Sequence, residues 1–294
     1  MYPLRKRTQS GTFLTDQPAG RRPVNFARLC SFFFEYPVGI GASILVLCVT
    51  ISPRISLMKW LSGLFAAFSF GLSAHAADTG FIDKVHKDSD GKEAKYVVYV
   101  PKDYDGKKEY PVILFLHGSG ETGTDGKKQV ATGLGGAIKK MPDFGFITIF
   151  PQSQLRSWQA GKPDADRALA ILEAEMKTYK TDPKRVYLTG LSMGGYGTWS
   201  LAAKYPDKWA AIVPVCGGGN PADASKIKDI PCWDFHGDAD KAVNVEKSRE
   251  MIKALKAAGA EPKYTEYPGV GHNSWDQAYG TKELYPWLLK HAKK

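Results

Sequence analysis

A serine flanked by glycines is the first feature of this chain that could do chemistry. Gly190-Leu-Ser192-Met-Gly194-Gly195 fits G-x-S-x-G, a pattern in which a strand turns sharply into a helix and lifts a hydroxyl to the tip of the turn. Serine is a weak nucleophile until a base takes its proton and a third group orients that base. On such a scaffold the acid and then the histidine follow the serine in the chain. Six histidines compete for the role of base. His75 lies in a leader-like segment, His86 ahead of the sheet, His117 and His236 directly after strands, and His291 near the C-terminus. His272, in Pro268-Gly-Val-Gly-His272-Asn-Ser-Trp275, follows the last strand and lies downstream of acidic candidates. His236-Gly-Asp238-Ala-Asp240 supplies two of these. Asp240 is read as the acid and Asp238 as a turn residue capping its loop. No further residues complete a metal-ligand spacing around this cluster, so neither metal nor cofactor is expected.

A carbonyl attacked by Ser192 becomes an oxyanion that needs two backbone donors. The N–H of Met193, next after the nucleophile, is one expected donor. The loop Leu116-His-Gly-Ser119-Gly supplies the other, Ser119 first and Gly118 as the alternative. Losing one such donor typically costs about 10²–10³ in rate. Trp158, in the loop after an early strand, and Trp275, three residues beyond His272, are candidates for the substrate-binding wall, with core caps as the competing reading. Tyr196 and Trp199 are read as core.

These groups need a scaffold, and the hydrophobic pattern describes one. Tyr96–Val100, Pro111–Leu116, Phe146–Phe150, Val186–Thr189, Ala210–Val215, Trp233–Phe235 and Lys263–Tyr267 read as strands. Several are continuous apolar runs, as in parallel strands buried on both faces. Helical patterns over Val130–Lys140, Asp164–Tyr179, Gly195–Lys204, Val243–Ala258 and Glu283–Lys290 alternate with them. The order predicts one α/β domain over 77–294 with a mainly parallel sheet. No insertion is long enough for a lid domain, so an open site is expected.

With these motifs in order, Thr189-Gly-Leu-Ser192-Met-Gly-Gly-Tyr-Gly-Thr-Trp199 resembles the nucleophile elbow of the α/β-hydrolase superfamily. More narrowly, the chain is similar to compact bacterial esterases grouped with polyhydroxybutyrate depolymerases, feruloyl esterases and the phospholipase/carboxylesterase family. Leu116-His-Gly-Ser-Gly-Glu121, Phe235-His-Gly237 with Asp240, and Gly271-His-Asn-Ser-Trp275 extend the match to nearly all of the chain after residue 92. The resemblance implies a serine esterase with Ser192, Asp240 and His272 as its triad. The substrate class is a small-molecule or polymer-borne ester, with acetyl or feruloyl esters of polysaccharide foremost. A peptidase or lipase on the same triad is one alternative, and a non-catalytic carbohydrate-binding homologue is another. Rate is expected to rise with pH as the histidine loses its proton and becomes a base.

Composition limits the remaining possibilities. Of 294 residues, 43% are hydrophobic and 24% charged, which suffices for a full core and excludes a disordered chain. The net charge of +10 is uneven. Residues 1–76 carry eight Lys/Arg against Asp16 and Glu35 (+6), and the rest carries 32 Lys/Arg against 28 Asp/Glu (+4). The folded part is thus nearly balanced with scattered lysines, and no nucleic-acid partner is expected. Read from Met58, Lys59, the apolar run Trp60–Ser73 and Ala74-His-Ala76 form a signal peptide cleaved after Ala76, which implies a secreted or periplasmic protein. Residues 1–57 are either a mis-assigned extension or a membrane segment. The uncharged run Tyr36–Ser52 is just long enough for the latter, and only then would the protein touch a membrane. Cys216 and Cys232 fall at opposite ends of adjacent parallel strands, too far apart for a disulfide, and are expected as buried free thiols.

Overall fold

The computed structural model describes residues 78–293. Residues 1–57, read as an extension or membrane segment, and 58–76, read as a signal peptide, lie outside the described residues, as does Tyr36–Ser52. No helix among the described residues is long and apolar enough to cross a membrane.

Eight strands form one sheet: β1 (Gly80–Lys87), β2 (Glu93–Val100), β3 (Tyr110–Leu116), β4 (Ile147–Pro151), β5 (Thr181–Leu191), β6 (Ala211–Val215), β7 (Trp233–Gly237) and β8 (Lys263–Tyr267). Their spatial order is β1-β2-β4-β3-β5-β6-β7-β8. From β4 to β8 all neighbours are parallel, and the hairpin β1–β2 adds two antiparallel strands at one edge. The strand β1 has no counterpart in the sequence reading. Its side chains alternate between half-buried and exposed, so it lacks the apolar run that marks the buried strands, and His86 belongs to it instead of preceding the sheet.

Successive side chains of a strand point to opposite faces, and both faces here are covered. Val112, Leu114 and Leu116 of β3 join one core with the helices α2 (Pro163–Thr178), α3 (Met193–Lys204), α4 (Ala224–Ile227) and α5 (Glu246–Ala257). Ile113 and Phe115 join the other, with α1 (Leu134–Ile138), α6 (Trp275–Gly280) and α7 (Leu284–Leu289). Two-sided burial is the physical reason that the strand runs are continuous and not alternating.

Two helices differ from their sequence reading. The span Val130–Lys140 holds only the five-residue α1 and a short 3₁₀ turn, because Gly133 breaks the chain direction at φ +63°. The helix read from Val243 begins at Glu246, the preceding residues being used by Asp240 as described below. Cys216 and Cys232 are free and buried. Cys232 lies opposite Ile212, four residues before Cys216 on the neighbouring strand, which is the separation that prevents a bond.

Candidate active site

Ser192 sits between β5 and α3 with φ +53° and ψ −115°, a conformation that a non-glycine residue holds only when its surroundings enforce it. Here the Ser192 N–H donates to the Val215 carbonyl of β6 at 2.9 Å. The helix that follows leaves no room for side chains at two positions. A Cβ on Gly194 would collide with the Leu116 carbonyl, and one on Gly190 with the Gly194 carbonyl. The flanking glycines of the motif are therefore the condition for packing the elbow between β3 and α3.

Loops after β7 and β8 bring the other two residues. His272 Nε2 lies 2.9 Å from Ser192 Oγ, and His272 Nδ1 lies 2.6 Å from Asp240 Oδ2. A carboxylate can only accept, so Nδ1 carries the proton and Nε2 presents its lone pair to the serine hydroxyl. Asp240 Oδ1 accepts from the N–H groups of Ala242 and Val243 at 2.8 and 2.9 Å. Burial works against a charge on Asp240, but the His272 bond and these two backbone donors outweigh it and hold the carboxyl below its usual range. Asp238, the other acid of the motif, accepts the Gly269 N–H at 2.6 Å and so ties the loop that leads to His272.

His236 was set aside in the sequence as a residue following a strand, and it proves to be the last but one residue of β7. Its Nε2 lies 2.9 Å from the Val243 carbonyl and 3.3 Å from Asp240 Oδ2. Both are acceptors, so Nε2 bears the proton. Nδ1 then accepts the Ser248 hydroxyl at 2.8 Å. Burial pushes the imidazole pKa down, consistent with a neutral ring. Asp240 is therefore held by two histidines, one facing the serine and one facing the core.

The oxyanion side is built by another buried histidine. Burial pushes the His117 pKa down to about 4, leaving a neutral ring. Its Nε2 accepts the Ser153 N–H at 2.9 Å, so Nδ1 is the donor and gives its proton to the Gly118 carbonyl at 2.6 Å. That carbonyl belongs to the same planar peptide as the Ser119 N–H and points the opposite way. Fixing one end fixes the other. The Gly118 N–H is turned toward the Glu121 carboxyl. The N–H groups of Ser119 and Met193 have no protein acceptor among the described residues, which favours Ser119 over Gly118 as the second donor.

A cleft of about 320 Å³ beside Ser192 is lined by Arg156, Ser157, Trp158, Gln159, Met193 and Tyr196. The Trp158 side chain is only 1% exposed, its N–H donates to the His117 carbonyl at 2.9 Å, and its ring meets the His117 ring edge-on. It supports the cleft from behind and offers a substrate little surface. Trp275 is half-buried and stands edge-on to His272, with ring centroids 5.3 Å apart, so it braces the base. Trp199 is core, as read from the sequence, but Tyr196 is half-buried and lines the cleft. The cleft's outer loop is fixed by the buried Asp164, which accepts from Ser153 Oγ at 2.5 Å and Leu155 N–H at 2.7 Å.

Cys216 Sγ, Asp240 and His272 bring their ligand atoms within 4.8 Å of one another. As a donor set they suit a metal poorly. Burial pushes the Cys216 thiol up to about 12, whereas metals take the thiolate, and the Asp240 and His272 atoms already bind each other.

A parallel sheet whose central strand turns through a positive-φ serine into a helix, with acid and histidine delivered from later strand ends, defines an α/β-hydrolase. The model of the dienelactone hydrolase family matches residues 96–278, and the chain belongs to that family. It is 26% identical over 212 residues to a carboxylesterase of Arabidopsis thaliana, covering 62% of this chain and 90% of that one. It is 33% identical over 113 residues to a bifunctional acetylxylan esterase/xylanase of Neocallimastix patriciarum, covering 37% of this chain and 17% of that much longer one. The solved structure of a thermostable esterase superposes with a TM-score of 0.67 at 34% identity, covering 72% of this chain and 63% of that one. The chain thus belongs to a family of hydrolases, and it spans less than a third of the acetylxylan esterase/xylanase and under two thirds of the thermostable esterase that it matches.

Proposed function

We propose that this protein is an exported serine esterase that cleaves carboxylic esters on polysaccharide through an acyl-enzyme. The observation that carries the reading is the hydrogen-bond chain from Asp240 through His272 to Ser192, at 2.6 and 2.9 Å. Ser192 Oγ attacks the ester carbonyl as His272 Nε2 takes its proton. The oxyanion is received by the N–H groups of Ser119 and Met193, at the N-terminal end of α3 where a helix favours negative charge. The imidazolium, stabilised by Asp240, returns the proton to the leaving alcohol. Water then attacks the acyl carbon as it gives a proton to the same histidine, and when the acyl–Oγ bond breaks the histidine returns that proton to Ser192 and the acid leaves. The acetylxylan esterase relative and the open cleft support a polymer-borne substrate, and the Ala74-His-Ala76 signal supports export.

The test begins with protein recovered from the exported fraction, where the mature chain is expected to start at Ala77. Hydrolysis of p-nitrophenyl acetate and methyl ferulate is then measured beside Ser192→Ala. Acetate turnover that disappears in the variant is expected, and ferulate turnover of similar size would add aromatic acyl groups to the substrate range. Activity that survives in Ser192→Ala removes Ser192 as nucleophile.

A further inference from the structure

Next to the cleft lies a second cavity of about 210 Å³, which shares Gln159 and Tyr196 with it. Its floor comes from α3 and its far wall from the loop after β6, with Asp223, Ile227 and Met251 beyond. The polar groups around it are each only partly used. Ser200 Oγ accepts the Ala160 N–H at 3.0 Å, which leaves its own hydrogen to donate. Asn220 Oδ1 accepts the Ala222 N–H at 3.2 Å, leaving the amide NH₂. One Asp223 oxygen binds Lys226 at 2.6 Å and the other is left to accept. Trp199 is 2% exposed and its indole N–H has no hydrogen-bond partner among the described residues. That atom is closed off from the cavity and is not offered to a ligand there. Gly219 lies so close that a Cβ there would come within 2.8 Å of Met251 Sδ and 2.9 Å of Trp199 Cγ, so the apolar side of the cavity is tightly packed.

We propose that this cavity is a subsite for one neutral sugar ring of the chain that carries the ester. The inference rests on the esterase reading above. A sugar ring presents C–H faces to apolar walls and hydroxyls that both donate and accept. Tyr196, Ile227 and Met251 supply such walls. The Asn220 amide and Ser200 hydroxyl supply donors, and Asp223 supplies the acceptor. An aliphatic acyl chain would leave these groups unpaired at the cost of their desolvation. A carboxylate ligand would meet Asp223. Because Gln159 and Tyr196 border both cavities, a ring seated here and an ester at Ser192 can belong to one molecule.

The test compares kcat/KM for acetylated xylo-oligosaccharide with that for p-nitrophenyl acetate, which has no sugar. In Asn220→Ala/Asp223→Ala the oligosaccharide-to-nitrophenyl ratio is expected to fall about ten-fold. Unacetylated xylotetraose should inhibit nitrophenyl acetate hydrolysis by the wild type, and less well in the double variant. An unchanged ratio, or equal losses on both substrates, overturns the subsite while Ser192→Ala still decides the esterase reading. If the wild type hydrolyses neither ester, that reading fails alone, and calorimetric binding of xylotetraose decides the subsite. Binding weakened in the double variant supports it, and binding that is absent or unaltered overturns it.

Discussion

Two buried aspartates six residues apart behave in opposite ways. Asp240, in the loop after β7, is 8% exposed, and Asp234, within β7, is fully buried. Asp240 accepts three hydrogen bonds, from His272, Ala242 and Val243, with His236 Nε2 3.3 Å from Oδ2, and its pKa is lowered. Neither oxygen of Asp234 has a hydrogen-bond partner among the described residues, and burial pushes its pKa up to about 8. Burial alone thus leaves a carboxyl protonated, while converging donors keep a buried carboxylate charged. The donors exist at Asp240 because a loop can turn its backbone N–H groups inward. At Asp234 they are consumed by the sheet. In the proposed mechanism the charge that stabilises an imidazolium is placed where the strand ends, at the carboxyl edge of the sheet, and a few residues inward the same side chain would be neutral.

Removing the charge at Asp240 is the largest break in that contrast. Asp240→Asn keeps the size of the side chain but cannot both accept from Ala242 and Val243 and hold His272 in the Nδ1–H tautomer as an anion. A fall in kcat of about 10⁴-fold is expected, by analogy with triads in general, with little change in melting temperature. A loss below ten-fold would mean that Asp240 is not the acid of the site.

The corresponding change at Asp234 should leave catalysis in place and alter stability with pH instead. The folded-state pKa of about 8 lies above the ordinary value of 3.8, so between those values the folded protein keeps a proton that the unfolded chain has released. Stability then falls as pH rises, by about 1.4 kcal/mol per unit for one group, and this loss is complete near pH 8. Asp234→Asn, the neutral isostere, should flatten that slope. Its gain over the wild type should be smallest near pH 5 and reach several kcal/mol near pH 8. Urea midpoints measured from pH 5 to 8.5 check this. Parallel curves for the two proteins would show that Asp234 is already ionised in the fold.

The sequence made the contrast legible only in part. Ser192, Asp240 and His272 could be placed because the order of elements is written in continuous apolar runs, and because strand ends tell which loops share an edge. Seven of the eight strands follow from the same signal, whereas β1 does not, being an edge strand with alternating exposure. Hydrogen-bond partners are set by three-dimensional approach, and no local pattern encodes them. That is why Trp158 could not be told from a substrate-facing residue, and why His117 gave no sign that it orients the Gly118–Ser119 peptide. Asp234 shows the limit most plainly, since nothing in Trp233-Asp-Phe235 says that its carboxyl lacks a donor.

His236 lies two residues after Asp234 on β7 and beside Asp240, and it allows the finest test. Ser248 gives its hydroxyl proton to His236 Nδ1, and His236 Nε2 gives its own to Val243 and lies 3.3 Å from Asp240 Oδ2. If the ring positions Asp240, His236→Leu should reduce kcat about ten-fold with KM nearly unchanged, because an N–H dipole 3.3 Å from a carboxylate contributes less than the His272 bond. His236→Gln keeps an N–H donor in reach and should recover part of that loss. A structural role alone would lower the melting temperature of both variants without separating their kcat values. The ordering Leu below Gln below wild type in kcat is therefore what ties His236 to the charge on Asp240 and not merely to the packing of β7 against α5.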